Sequence, residues 1–140
     1  MENVKVDHIG IATKSIRESS LIWEALGFVN SGEEIVKEQG VKIKFLSACE
    51  GPKIELLEPL GEDTPVGRFI EKRGPGIQQL AISVNNINKT IGELKKLNVS
   101  LINEIPTKGA NGNLIAFIHP SSTGGVLIEL IEERIDNSQK

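Results

Sequence analysis

Pro52-Lys53-Ile54-Glu55-Leu56-Leu57 and Gly125-Val126-Leu127-Ile128-Glu129-Leu130 are near-copies of one pattern, a β-type apolar run with a single acid at its centre. A strand alternates faces residue by residue, so Glu55 shares a face with Lys53 and Leu57, and Glu129 shares one with Leu127 and Ile131. Ile54, Leu56, Ile128 and Leu130 take the opposite face. An ionised carboxylate among apolar neighbours is costly to bury unless a cation or hydrogen-bond donors compensate it. Two such acids in two copies of one pattern point to a shared cation. Taken singly, each would read as an edge-strand acid facing water.

Outward from these runs the whole chain reads as a repeat. Val4 to Thr13 is expected to be a strand, with His8, Gly10 and Ala12 on one face and Ile9 and Ile11 on the other. Ser15 is a helix cap with Glu18 at the capping-box spacing, and Gly27 suits the helix end. Strands follow at Phe28 to Val36, Val41 to Ala48 and Lys53 to Leu57. Thr64-Pro65 opens a connecting helix that Gly74-Pro75-Gly76 stops. The order then restarts with a strand at Ile77 to Val84, a helix at Ile87 to Leu97, and strands at Val99 to Ile105, Leu114 to Ile118 and Val126 to Ile131. A shift of 71 lays His8-Ile9-Gly10-Ile11 on Gln79-Leu80-Ala81-Ile82 and Ile16 on Ile87; a shift of 74 lays Ile54-Glu55-Leu56 on Ile128-Glu129-Leu130.

Two copies are too few for a solenoid. The expected fold is therefore α+β, a single domain over 1–140 in which modules 1–60 and 76–132, each βαβββ, are joined by a short helical linker. Their strands would form a curved mixed sheet around a cup. The small residues opposite the helix-packing faces would leave that cup open, with His8, Glu55, Gln79 and Glu129 pointing into it.

Composition narrows the functional classes. Hydrophobic residues make up 39% and charged residues 25%, the mixture of a soluble globular chain, and a net charge of −3 favours neither nucleic acid nor an anionic membrane. No apolar run is long enough to cross a bilayer. Met1-Glu2-Asn3-Val4 lacks the layout of a signal peptide, and the lone Cys49 is compatible with a reducing cytoplasm, so a cytoplasmic location is expected. The tail from Glu132 to Lys140 is expected to fray.

Several stretches match a family in order along nearly the whole chain. They are Asp7-His8-Ile9-Gly10-Ile11-Ala12, Glu38-Gln39-Gly40-Val41, Lys53 to Pro59, Phe69 to Gly74, and Ile115-Ala116-Phe117-Ile118-His119-Pro120 running on through Gly124-Gly125 to Leu130. With them the chain resembles the vicinal oxygen chelate (glyoxalase/bleomycin resistance) superfamily, and within it the methylmalonyl-CoA epimerases. The resemblance implies a metal cup with ligands at His8, Glu55, Gln79 and Glu129. Gln79 departs from the family's histidine, which leaves one imidazole, one amide and two carboxylates. Such a set suits six-coordinate Co²⁺, Mn²⁺, Ni²⁺ or Mg²⁺ better than tetrahedral Zn²⁺.

The resemblance further implies an enolate formed at the carbon between a carboxylate and a thioester carbonyl, with Glu129 as metal ligand and base. Some relatives supply a second glutamate from the third strand, where this chain has Ile43 between Lys42 and Lys44, so the second acid/base is left unnamed; Glu55 qualifies only if it leaves the metal. His119 would contact the substrate carboxylate, although Ser121 stands where lysine is common, and Lys108, Asn111 and Gly112 lie in the family's glycine-rich loop. An acyl-CoA thioester is the implied substrate and a homodimer the implied assembly. The same cup also serves glyoxalase I-type lyases and non-catalytic small-molecule binders, which are the alternatives.

Overall fold

A computed structural model describes residues 3–133, which fall into two compact units. One spans Val6–Leu80; the other holds the chain from Ala81 onward together with its first residues up to Lys5.

The Val6–Leu80 unit contains β1 (Lys5–Ala12), α1 (Ile16–Ala25), β2 (Val29–Val36), β3 (Val41–Ser47), β4 (Lys53–Pro59), α2 (Pro65–Arg73) and the first part of β5 (Gly76–Ser83). Its strands pair in the order β2-β3-β4-β1, antiparallel except for the parallel β4–β1 step. A parallel neighbour demands a crossover, and α1 with its flanking turns begins it. Ser15 starts that helix: its backbone is extended and its hydroxyl accepts the Glu18 amide at 3.2 Å. The first helical amide, Ile16 N–H, is satisfied from far along the chain by Glu58 Oε1 at 2.9 Å. Gly27, at φ +110°, turns the chain out of the helix. Ile16, Leu46, Ile54 and Leu56 form the core under α1, with Ile9, Ile11, Trp23 and Phe28 packed against them. The Trp23 and Phe28 rings meet edge to face at 5.5 Å.

The second unit repeats the plan with the rest of β5, α3 (Ile87–Lys96), β6 (Thr107–Lys108), β7 (Leu114–Ile118) and β8 (Ile128–Glu132). Asn86 caps α3 through its side-chain oxygen at 3.1 Å from the Lys89 amide, and Glu132 Oε1 accepts the Ile87 amide at 2.9 Å. The carboxylate that closes each helix start is thus part of the repeat, at the same offsets that relate the two halves in sequence. Val84, Ile87, Ile91, Ala116, Ile118 and Leu130 make this unit's core. Among the described residues the fold is α+β, with three helices and eight strands in βαβββ order twice over. No described helix is long and apolar enough to cross a membrane.

One element departs from expectation. Val99 to Ile105 is not a strand; it touches β7 only through a bridge from Leu101 to Ile118, and β6 is the two residues that follow Pro106. Its apolar positions, 99, 101, 102 and 105, lack the period of two that would put them all on one buried face. Val99 and Leu101 reach the core, whereas Ile102 and Ile105 are 53% and 80% exposed. Asn103 Oδ1 takes the Phe117 amide at 3.0 Å in place of a strand carbonyl. Leu97, expected as the last residue of the second module's helix, lies just past the end of α3 as its cap and is exposed. The tail from 134 to 140 lies outside the described residues.

The closing carboxylates give a direct check. Glu58→Ala or Glu132→Ala should each lower the unfolding free energy by about 1–2 kcal/mol, the cost of a lost charged acceptor at a helix start, as read by urea unfolding. An unchanged midpoint would mean that water serves the helix amide equally well.

Candidate metal centre

In the Val6–Leu80 unit, the face of the sheet turned away from α1 gathers the polar side chains. Alternation along β1 sends Ile9 and Ile11 to the core and His8, Gly10 and Ala12 to the other side, where His8 is only 2% exposed. The parallel register sets Gly10 beside Glu55, so His8 and Glu55 lie close on that side. His8 Nδ1 stands 2.8 Å from Asp7 Oδ2 and 3.0 Å from Glu55 Oε2. Its other nitrogen, Nε2, is 3.4 Å from Gln79 Nε2. Gly10 makes the approach of Gln79 feasible. A Cβ there would fall 2.5 Å from Gln79 Cγ and 3.1 Å from a Leu57 methyl.

The electrostatics of this cluster are lopsided. Two carboxylates face one nitrogen of a buried ring, and even a doubly protonated imidazole carries only one positive charge. Burial makes the excess negative charge expensive. A divalent cation answers that excess. Ligand atoms of Asp7, His8 and Glu55 all lie within 4.8 Å of one another, the spacing of groups around a single ion. Oxygen and imidazole donors without a thiolate suit Mn²⁺, Co²⁺, Ni²⁺ or Mg²⁺. A carboxylate on Nδ1 is also how proteins orient a metal-binding histidine, leaving Nε2 on the Gln79 side.

Of the four residues expected to share an ion, the structure brings His8, Glu55 and Gln79 together. Glu129 sits at the centre of β8 in the other unit, opposite Phe117, on the face turned away from α3. At 6% and 7% exposure, Glu55 and Glu129 are not the water-facing acids that each would suggest alone. Asp7 is the member that sequence reasoning missed. It precedes His8, and neighbours on a strand point to opposite faces, so face counting sets it aside. Ile43 is buried on the same face as Leu57, its cross-strand partner. Lys44 lies on the helix side of β3, where its ammonium is 2.8 Å from Glu24.

The expected substrate-binding residues fall in the second unit. His119 is exposed at the end of β7, and its ring is held in place: Nδ1 accepts the Ser121 amide at 3.0 Å and lies 2.8 Å from the Ser121 hydroxyl. The neutral ring therefore keeps its proton on Nε2, facing away from Ser121. Lys108 is exposed at the end of β6, and in the loop from there to β7 Asn111 is exposed, at φ +59°, and Gly112 half-buried.

Residues 7–117 match the family model of the "Glyoxalase/Bleomycin resistance protein/Dioxygenase superfamily". The chain is 42% identical over 133 residues to "Uncharacterized protein YqjC" of Bacillus subtilis (strain 168), covering 94% of each. It is similar to the crystal structure of methylmalonyl-CoA epimerase from Mycobacterium tuberculosis, with TM-score 0.88, 35% identity and coverage of 97% of this chain and 92% of that one. A methylmalonyl-CoA epimerase in complex with methylmalonyl-CoA and NH4+ matches with TM-score 0.87 and 30% identity, over 93% of this chain and 94% of that one.

Added Mn²⁺ or Co²⁺ should raise the melting temperature, and Glu55→Gln should weaken ion affinity roughly tenfold or more by calorimetric titration. Equal affinity in that variant would remove Glu55 from the centre. Gly10→Ala, which forces Gln79 aside, should cost about 1–3 kcal/mol of stability by urea unfolding. A smaller loss would mean that Gln79 moves freely.

Proposed function

The chain belongs to the glyoxalase/bleomycin resistance protein/dioxygenase superfamily, and from that membership we propose that it is a metal-dependent epimerase acting at the α-carbon of methylmalonyl-CoA or a similar acyl-CoA. The observation that carries this reading is the group of half-buried Asp7 with buried His8 and Glu55, and Gln79 at the second nitrogen of the ring. The relatives that are methylmalonyl-CoA epimerases narrow the chemistry from the superfamily's range to proton transfer.

The α-proton of such a thioester is weakly acidic, so charge developing on the thioester and carboxylate oxygens must be stabilised as the proton leaves. A bound divalent ion supplies Lewis acidity to those oxygens. His8, Glu55 and Gln79 would hold it, with Asp7 orienting the His8 ring; Glu129 is assigned as a further ligand from its position in the family pattern. Glu129 is also the proposed base, a buried carboxylate whose strand neighbours Leu130 and Ile131 are buried beside it. His119, its Nδ1 occupied by Ser121, offers an Nε2–H donor to the substrate carboxylate. Lys108, Asn111 and Gly112 would receive the polar part of the CoA chain. A homodimer in the cytoplasm is the setting we assign.

Incubation with methylmalonyl-CoA in D₂O, with Mn²⁺ or Co²⁺ supplied, should place deuterium at the α-carbon and interconvert the epimers. Glu129→Gln should slow this by about 10²–10⁴-fold. Metal-loaded protein that leaves the α-proton in place would sink the epimerase reading.

A further inference from the structure

In the second unit, Ala116, Ile118 and Leu130 pack under α3, so alternation sends Ile115, Phe117, Glu129 and Ile131 to the opposite face. The Phe117 amide donates to Asn103 Oδ1 and its carbonyl accepts from Ile102, so both backbone groups point away from β8. Phe117 and Glu129 are directly opposed in the register. They therefore form a pair with no ladder bond between them, the kind in which Cα atoms approach to about 4.5 Å and side chains lie closest. The half-buried Phe117 ring is the cross-strand neighbour of the Glu129 carboxylate.

The same alternation reaches past the end of β7. His119 has an extended backbone, and its amide donates to Ser100, on the side to which the Phe117 amide also turns. Phe117 and His119 thus leave the chain on one face, about 7 Å apart along it. In the other direction Ile115 is buried and held in place. A Cβ on Gly109 would fall 2.8 Å from Ile115 Cδ1, so the glycine loop lies directly against that side chain. Ile131, opposite Ile115, is buried too. The ring has packed aliphatic side chains toward Ile115 and the exposed His119 on its other side. It cannot retreat along the strand without displacing them.

These three side chains orient a substrate. In the roles assigned above, Glu129 takes the α-proton and His119 the carboxylate, so the α-carbon comes to lie over Phe117, which stands between them. Of the two remaining substituents, the thioester carbonyl gathers negative charge in the reaction and belongs with a cation. The alkyl group has only apolar surface to bury, and the ring is the apolar surface within reach. We propose that Phe117 is the specificity-determining residue for the α-alkyl group, admitting a methyl and rejecting an ethyl or longer chain, an inference that rests on the function proposed above. The selection is steric. An added methylene must push either the α-carbon away from Glu129 or the ring into Ile115.

The test compares kcat/KM for α-proton exchange in D₂O on methylmalonyl-CoA and ethylmalonyl-CoA, with Mn²⁺ or Co²⁺ supplied. Wild type should favour the methyl compound by about tenfold or more. Phe117→Ala should bring that ratio below about threefold, because the ethyl group gains room while the methyl group loses its contact. Phe117→Leu keeps most of the buried volume, which guards against a variant that does not fold, and should give an intermediate ratio. A ratio within about twofold of wild type in Phe117→Leu, and in Phe117→Ala where it folds, would overturn the proposal. Equal slowing of both thioesters is what a merely structural ring would produce. Wild-type protein that handles the two alkyl groups equally would overturn it as well. Wild-type protein that exchanges neither thioester would instead remove the epimerase reading, and this inference with it.

Discussion

Two carboxylates facing one buried imidazole is the constraint to which the rest of this structure answers. Asp7 and Glu55 both approach Nδ1 of His8 within 3.0 Å, on a ring almost wholly removed from solvent. Left to itself, such a group destabilises a fold, because desolvation of the second carboxylate has no counterpart in the ring's charge. The surroundings make the arrangement tolerable in two ways. The α1-side core of Ile16, Leu46, Ile54 and Leu56 supplies stability independent of the polar cluster. A divalent ion bound there would turn the excess charge into binding energy that the folded state alone collects.

The repeat explains how a small chain carries this load. In each unit one face of the strands is committed to a helix, and the helix is fastened at its start by a carboxylate from the end of the module's last strand, Glu58 or Glu132. That fastening is made of long-range contacts, with donor and acceptor separated by 42 and 45 positions in the chain. Helix and final strand must therefore close together. The opposite face is released from packing a helix and can hold polar side chains at densities a core would not allow. Gly10 is the extreme case, a position stripped of its side chain so that Gln79 can lie over it.

What was legible in the sequence follows the same division. Strand alternation places His8, Glu55 and Gln79 on one face without coordinates, because period two is a local property. The helix starts at Ser15 and Thr64 are local too, and each forms a side-chain cap bond, as does Asn86, which the sequence reading left unmarked. What could not be read depends on neighbours distant in the chain. Val99 to Ile105 has β-type composition, yet its polar bonds go to single groups, Phe117 of β7 and then His119 and Ser122 in the turn that follows it, rather than to a ladder. Asp7 escapes because its contact with His8 joins adjacent residues of one strand, which face counting does not see. The family resemblance supplied Glu129, His119 and the loop of Lys108, Asn111 and Gly112; residue chemistry by itself would have left them as a buried acid, a surface histidine and a turn.

Glu34 shows most sharply where a sequence stops and register begins. Glu33 and Glu34 are chemically identical neighbours, and a slip of one residue between β2 and β3 would exchange their faces. The β2–β3 turn prevents that slip. Lys37 to Gln39 form a single tight turn, and Gly40 follows at φ +64°, a left-handed conformation that glycine adopts without strain. A side chain at Gly40 would also meet Thr64 Cγ2 at 2.6 Å, next to the cap of α2. The turn delivers Val36 opposite Val41, and the pairing then runs without interruption through Glu34 opposite Ile43. The irregularity in this hairpin, between Asn30 and Gly32, comes only beyond Glu33, so it leaves the faces of the two acids untouched. A glycine with no chemistry of its own thereby decides which carboxylate shares the face of Ile43 and Leu57 and which shares that of Lys44.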